Sequence, residues 1–180
     1  MAGQHPLLSE ELSNIPSVTV AVVNLAFKGN VLSHNAFGFL VPPSEQKPIL
    51  GVIFDSCSFP QDDFTVLTVM MGGRWYESRL GPSPSTSSIL RIALDNVRSI
   101  LNITEEPCNH HVSILKDCIP QYIVGHSDRV KKIRDYIISQ KLPLSLAGSS
   151  YDGVGVNDVI FSAKKAAQSI ACLEQQVVPE

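Results

Sequence analysis

The sequence predicts an α+β fold: an antiparallel-rich mixed-sheet meander followed by helices and closed by a terminal strand-turn-helix. Three observations carry this expectation. Four β-branched and aromatic runs come first, separated by turn residues; amphipathic helical stripes come next; and an apolar run near the end feeds a glycine turn that opens a helix. At 180 residues and 44% hydrophobic composition the chain is long and apolar enough for a substantial core.

The four runs are Val18 to Phe27, Phe37 to Val41, Ile49 to Asp55 and Phe64 to Met71, bounded by Lys28-Gly29-Asn30, Pro42-Pro43-Ser44 and Pro60-Gln61-Asp62-Asp63. They read as a meander. Val18 to Phe27 is apolar on both faces apart from Thr19 and Asn24, so it needs cover on both sides. Composition then shifts at Pro82 to Thr86, and Ile89, Leu90, Ala93, Leu94, Val97, Ile100 and Leu101 lay an apolar stripe along a helix that Asn102 ends. A short strand, Val112 to Leu115, leads to Pro120. Ser127 is the expected cap of a further helix whose inward residues are Val130, Ile133 and Ile137.

The terminal unit is the most informative stretch. Leu142 to Leu146 suits a short buried strand, and Gly153 and Gly155 remove side chains where the backbone turns. A helix starts at Val156 to Asp158, with Ala163, Ala166, Ala167, Ile170 and Ala171 as its small-residue face. Its first N–H groups lack internal partners and face whatever occupies the turn. Gly153-x-Gly155-x-x-Asp158 is a broken dinucleotide fingerprint, since its third position is Asp and the chain ends too soon for the acidic ribose ligand. Two readings fit this corner: a turn that holds a cofactor, and an ordinary packing corner. Asp158 is assigned to capping the helix.

Several function classes find no support. A net charge of −3 offers no field for nucleic acid, and Arg129, Lys131, Lys132 and Arg134 read as a solvated helix face. Cys57, Cys108, Cys118 and Cys172 form no C-x-x-C pair and fit reduced thiols; Cys108-x-His110-His111 with Cys118 has no standard zinc spacing. No serine stands in a G-x-S-x-G elbow. No apolar run approaches a bilayer span, and Met1 to Pro6 carries neither a secretory nor a transit signal. Tyr122 and His126 flank a proline-defined bend, either as catalytic groups or as a hydrogen-bonded structural pair, and Asp62-Asp63 and Glu105-Glu106 read as surface charges.

Five motifs in order resemble those of the protoporphyrinogen oxidases, within the flavin-containing amine oxidase superfamily. They are Phe37-Gly38-Phe39-Leu40-Val41-Pro42, Leu50 to Ser56, Leu67 to Gly73, Ile119 to His126, and Ala147 to Tyr151. The resemblance runs from about Ser17 to Ile170 and concerns the C-terminal portion of that family; the N-terminal segment with a complete G-x-G-x-x-G is not in this sequence, so a partial product is expected. It implies that residues 1–80 are a substrate-binding sheet portion, 81–141 a helical and strand connection completing the substrate domain, and 142–180 a strand-turn-helix of the FAD-binding domain.

The resemblance further implies an oxygen-dependent flavoprotein of haem synthesis. Such an enzyme takes six electrons from protoporphyrinogen IX in three two-electron steps, passing them through FAD to molecular oxygen. The macrocycle would lie against Phe37, Leu40, Ile53 and Met70, and the flavin against the backbone of Val154, Gly155 and Val156, with no general base among them. Read without the resemblance, the first four side chains fit core packing as well as a ligand cavity. Also implied are a homodimer, peripheral membrane association and the intermembrane-space side of the mitochondrial inner membrane. A non-catalytic interaction piece that pairs with the full enzyme is the alternative. Ala163, where the wider superfamily often has glycine after the serine matching Ser162, is expected to shift packing slightly.

Overall fold

The computed structural model of the chain describes residues 3–60 and 63–177. Gln61 and Asp62 lie outside the described residues, as does the side chain of Cys172. Two compact units are present, one of Val18–Cys118 and one of Met1–Ser17 with Ile119–Glu180.

The first unit is built on a five-stranded sheet. Its strands are β1 (Ser17–Lys28), β2 (Gly38–Leu40), β3 (Ile49–Ile53), β4 (Phe64–Gly72) and β5 (Asn109–Pro120), in the order β2-β3-β4-β1-β5. β2, β3 and β4 form the expected antiparallel meander, but β1 pairs with β4 and not with β2. The two-sided apolar character of β1 explains this: as an inner strand it is flanked by β4 and β5, where an edge would leave it open.

β5 is longer than the Val112 to Leu115 run suggested. The Cys108 N–H donates to Ala26 O at 2.8 Å, and at the far end the Asp117 N–H donates to Thr19 Oγ1 at 3.2 Å, so the segment runs antiparallel along the whole of β1. Its polar side chains are exposed, which an edge strand permits whatever their β-propensity. β3 is shorter than expected, because Phe54 turns into the core and Asp55–Ser58 forms a single helical turn, α2. A further turn not anticipated, α3 (Tyr76–Leu80), brings Leu80 to the same core.

Alternate residues of the central strands make that core. Ala21, Val23, Leu25 and Phe27 of β1 and Leu67, Val69 and Met71 of β4 are buried on one face, under Ile89, Ala93 and Val97 of α4 (Thr86–Leu101). The three α4 residues recur every fourth position, as a helix stripe requires. Ser85 caps the helix by accepting from the Ser88 N–H at 3.1 Å, and Asn102 ends it in the left-handed region at φ 55°, as the sequence indicated.

The second unit pairs α1 (Pro6–Ser13) with α5 (His126–Ser139). The sequence reading missed α1, although Pro6 at its first turn is a start signal. Leu8 of α1 packs on Ile133 and Ile137, and Val130 is buried beside them along the same stripe. The cap of α5 is Gly125 at φ 86°, two residues before the expected cap, so that Ser127 lies inside the first turn; the bend is closed by the His126 N–H donating to Ile123 O. Glu11 pairs with Lys132 and lies 3.4 Å from Arg129 Nε. The Lys132 bond, against some desolvation, holds the Glu11 carboxyl below its ordinary range.

Two expectations for the terminal unit fail. Leu142 to Leu146 is not a strand: no strand lies alongside it among the described residues, and Leu142 and Leu146 instead cover the α1/α5 cluster. α6 (Val156–Val177) begins where expected, but its inward residues are Val159, Ser162 and Ala166, while Ala163, Ala167, Ile170 and Ala171 are exposed. The Ala163 methyl therefore enters no core here.

Ile89→Ala is expected to cost about 2–5 kcal/mol, as for other fully buried large-to-small changes, measured as a fall in the urea midpoint; a loss below about 0.5 kcal/mol would show that α4 does not close this core. For Glu11, whose folded pKa is depressed, the contribution is present above the ordinary Glu value and is lost as pH falls through the folded one. Protection factors for amide exchange in α1, taken relative to the unfolded-chain rate at each pH, should accordingly fall on acidification in the wild type, and Glu11→Gln should show the low protection already at neutral pH.

Candidate functional site

The sheet face opposite the core carries three of the four residues expected at a substrate. Register aligns Leu40 with Gly51, Gly51 with Met70 and Met70 with Val22, forming one row across β2, β3, β4 and β1. The next row aligns Gly38, Ile53, Thr68 and Asn24. Paired residues point to the same side of a sheet, so Leu40, Ile53 and Met70 share one face, in rows about 7 Å apart with strands about 4.8 Å apart. Ile53 and Met70 are half-buried; Leu40 is 80% exposed.

Gly51 is what lets this row close up. A Cβ there would lie 2.5 Å from Phe39 O and 3.0 Å from Leu40 Cδ2, so only hydrogen leaves room for the Leu40 side chain. Phe37 is placed differently. It precedes β2, its carbonyl accepts from the Phe54 N–H at 2.9 Å, and its side chain is 72% exposed; the strand register does not bring it into either row.

Polar groups on this face were not singled out in the sequence. Asn24 Nδ2 donates to Thr68 Oγ1 at 2.7 Å, and Thr68 Oγ1 donates to Asp55 Oδ2 at 2.7 Å. The only available signal was Asn24 itself, a lone amide interrupting an apolar run.

In the other unit, the turn expected at a cofactor is exposed. Val154, Gly155 and Val156 all face outward, and none of their N–H groups is used among the described hydrogen bonds, while Gly155 O accepts from the Val159 N–H at 3.0 Å and so opens α6. The loop before it is tied down by side chains. Tyr122 and His126 stack with centroids 3.9 Å apart and planes 9° apart; Tyr122 Oη donates to Ser149 O at 2.7 Å and His126 Nε2 lies 3.0 Å from Tyr151 O. A carbonyl only accepts, so Nε2 carries the ring proton. Ser162, buried in α6, accepts from the Gly148 N–H at 3.1 Å and donates to Val159 O at 2.9 Å. Arg134 pairs with Asp152 at 2.6 Å.

Tyr122 and His126 are thus a structural pair that clamps the loop. Burial raises the Tyr122 pKa above the ordinary phenol value; the Gly153 N–H opposes this, and the Asp152 and Asp158 carboxylates reinforce it. The hydroxyl stays a donor at neutral pH.

The two glycines answer to Asp158. A Cβ on Gly153 would lie 2.4 Å from Asp158 Cβ, and one on Gly155 would lie 2.9 Å from Asp158 Oδ2, so the carboxylate folds back over the turn. Neither glycine has a positive φ. The space the sequence reading reserved for a flat ligand at their α-carbons is occupied by the chain's own side chain. What remains for a ligand is the exposed edge of Val154, Gly155 and Val156 at a helix N-terminus, whose N–H groups have no acceptor among the described hydrogen bonds; such donors suit the polar rim of a flavin, while the Asp158 charge opposes an anion there.

Comparison with known proteins settles the family. The profile described as flavin containing amine oxidoreductase matches residues 3–171. The chain belongs to this family. Family membership makes flavin the relevant cofactor. Human protoporphyrinogen oxidase is 40% identical over 169 residues, covering 91% of this chain and 35% of that protein. Coproporphyrinogen III oxidase of Bacillus subtilis (strain 168) is 30% identical over 171 residues, covering 92% and 36%. A crystal structure from Exiguobacterium sp. 255-15, of a protein provisionally assigned as a protoporphyrinogen oxidase, superposes with a TM-score of 0.79 at 28% identity, covering 92% of this chain and 39% of that one. The chain spans about a third of the length of the curated family relatives it matches.

Gly153→Ala should destabilise the turn by about 1–3 kcal/mol, the usual cost of overpacking, because it strikes Asp158 close to its backbone. Gly155→Ala meets only the carboxylate tip, which can rotate, and is expected within about 0.5 kcal/mol of wild type. Urea midpoints and amide exchange across residues 148–156 check both; equal effects would refute the Asp158 explanation.

Proposed function

We propose that this chain supplies the C-terminal portion of an FAD-dependent protoporphyrinogen oxidase, which converts protoporphyrinogen IX to protoporphyrin IX by a six-electron oxidation with molecular oxygen as acceptor. The observation that carries the reading is the open apolar face on which Leu40, Ile53 and Met70 stand together, in a flavin family whose relatives act on porphyrinogens. Macrocycle binding on this face is hydrophobic: a flat, multi-ring ligand buries the half-exposed row and needs few polar partners. The two rows contain no cation to pair with a carboxylate, which favours the vinyl-bearing protoporphyrinogen over the more highly carboxylated coproporphyrinogen.

In this reading residues 1–80 and 81–141 serve the substrate and residues 142–180 the cofactor. The flavin, when bound, supplies the hydride-accepting centre. Val154, Gly155 and Val156 would hold it through their free backbone N–H groups, and the Tyr122–His126 clamp fixes where those donors stand. Leu40, Ile53 and Met70 exclude water and orient the ring, with Phe37 at the border of the face. Placement as a homodimer peripherally bound at the intermembrane-space side of the mitochondrial inner membrane follows the resemblance to the eukaryotic enzymes.

A second reading, an interaction piece that associates with a complete copy of the enzyme without turning over substrate, draws on the exposed Val156, Ile160 and Phe161 of α6.

In a complete enzyme carrying this sequence, Met70→Ala and Phe37→Ala should lower turnover of protoporphyrinogen by on the order of ten- to a hundredfold, the cost of a misplaced reactant, with flavin absorbance retained. Loss of flavin from a folded variant would overturn the substrate assignment. Unchanged turnover in both would leave the interaction reading.

A further inference from the structure

The hydrogen bonds on the substrate face run in one direction. A hydroxyl has a single proton and a carboxylate oxygen only accepts, so Thr68 Oγ1, 2.7 Å from Asp55 Oδ2, gives its proton to Asp55. Thr68 can then only accept from Asn24, which must turn Nδ2 toward it at 2.7 Å and hold Oδ1 away. Asparagine oxygen and nitrogen are otherwise nearly interchangeable in shape. Here the chemistry of the chain fixes which is which. Asn24 is half-buried between apolar neighbours, and among the described residues nothing donates to its Oδ1. Oδ1 is not cut off from solvent, so a ligand laid on the face would have to replace the water it accepts from.

We propose that Asn24 is a positioning residue that reads the oxidation state of the tetrapyrrole, its Oδ1 accepting a ring N–H of the reduced macrocycle. This rests on the reading of the face as the substrate site. A porphyrinogen carries a proton on every pyrrole nitrogen, whereas half of those nitrogens are bare in the porphyrin. An acceptor held in place meets a donor at any ring of the substrate, but in the product it meets a donor or another lone pair according to the ring presented. Asn24 aligns with Thr68, and Thr68 with Ile53, in the row next to Met70, so the amide stands within the patch assigned to the macrocycle. Asp55 acts through Thr68: it sets the direction of the chain without itself meeting the ligand. The face would thereby bind substrate more tightly than product and assist release after oxidation.

The test is anaerobic equilibrium dialysis of this chain against protoporphyrinogen IX and, separately, protoporphyrin IX. Wild type is expected to prefer the porphyrinogen by about twofold, since every ring of the substrate but only half the rings of the product can donate to a fixed acceptor; Asn24→Leu, unable to accept, should weaken binding of both and remove that difference. Asp55→Asn is the sharper variant. Its oxygen can still accept from Thr68, but its NH2 can also donate there, freeing the hydroxyl to donate to Asn24 Oδ1 and turning the Asn24 amide round; the direction is no longer fixed, so the preference should fall toward parity or invert with no change in side-chain volume. A merely structural role would move both affinities by the same factor and keep the preference. If Asn24→Leu does not fold, as judged by circular dichroism, Asp55→Asn decides alone. Retained preference in the folded variants overturns the role of Asn24 while leaving the face as a tetrapyrrole site; failure of the wild type to bind either tetrapyrrole overturns both.

Discussion

Everything in the sheet unit depends on the pairing register of β4. Its odd-numbered residues Leu67, Val69 and Met71 are buried beneath α4, while Val66, Thr68 and Met70 point to the opposite face. Because side chains alternate with a period of two, a slip of one residue would exchange the sets, exposing the core residues and burying Thr68. β3 on one side and β1 on the other hold that register, and β1 contributes four core residues of its own. The apolar patch and its polar chain are therefore consequences of the same pairing that forms the core.

The terminal turn obeys a different constraint. It has no sheet to hold it among the described residues, and its conformation is set by side chains that reach main-chain groups: Tyr122 to Ser149, His126 to Tyr151, and Ser162 to Gly148. Asp158 completes the set from within α6, and its bulk accounts for Gly153 and Gly155 without any ligand. Among the described hydrogen bonds, the N–H groups of Val154, Gly155 and Val156 then have no acceptor. A turn held by its own backbone hydrogen bonds would have used them.

Local chemistry was legible in the sequence, and long-range pairing was not. The four β-branched runs, the α4 stripe ending at Asn102 and the inward residues Val130, Ile133 and Ile137 depend on periodicity and capping within one segment. The position of β1 beside β4, the length of β5 and the failure of Leu142 to Leu146 to form a strand depend on partners far along the chain. The site divides in the same way. Leu40, Ile53 and Met70 could be named from motifs, but their standing on one face needed the register, and the Asn24–Thr68–Asp55 chain joins residues from three separate segments. The part that Asp158 plays was not legible, because a missing side chain looks the same in sequence whether it makes room for a ligand or for Asp158.

Exposure separates the two faces energetically. Ile89, Val69 and Leu67 are wholly buried and each contributes to folding, whereas Leu40 and Phe37 leave most of their area in water and gain little by it. Large apolar groups retained in water represent stabilisation still available to a binding partner. The polar chain beside Met70 sharpens the point. Asn24, Thr68 and Asp55 satisfy one another enough to be tolerated on a half-buried surface, yet among the described residues the direction of their bonds leaves the Asn24 oxygen without a protein donor. A fully satisfied network would serve stability alone, and an apolar replacement would serve adhesion alone. A directed chain that ends in an acceptor is what the proposed tetrapyrrole reading draws on: adhesion from the apolar side chains, and discrimination from the one bond direction that the chain's chemistry fixes.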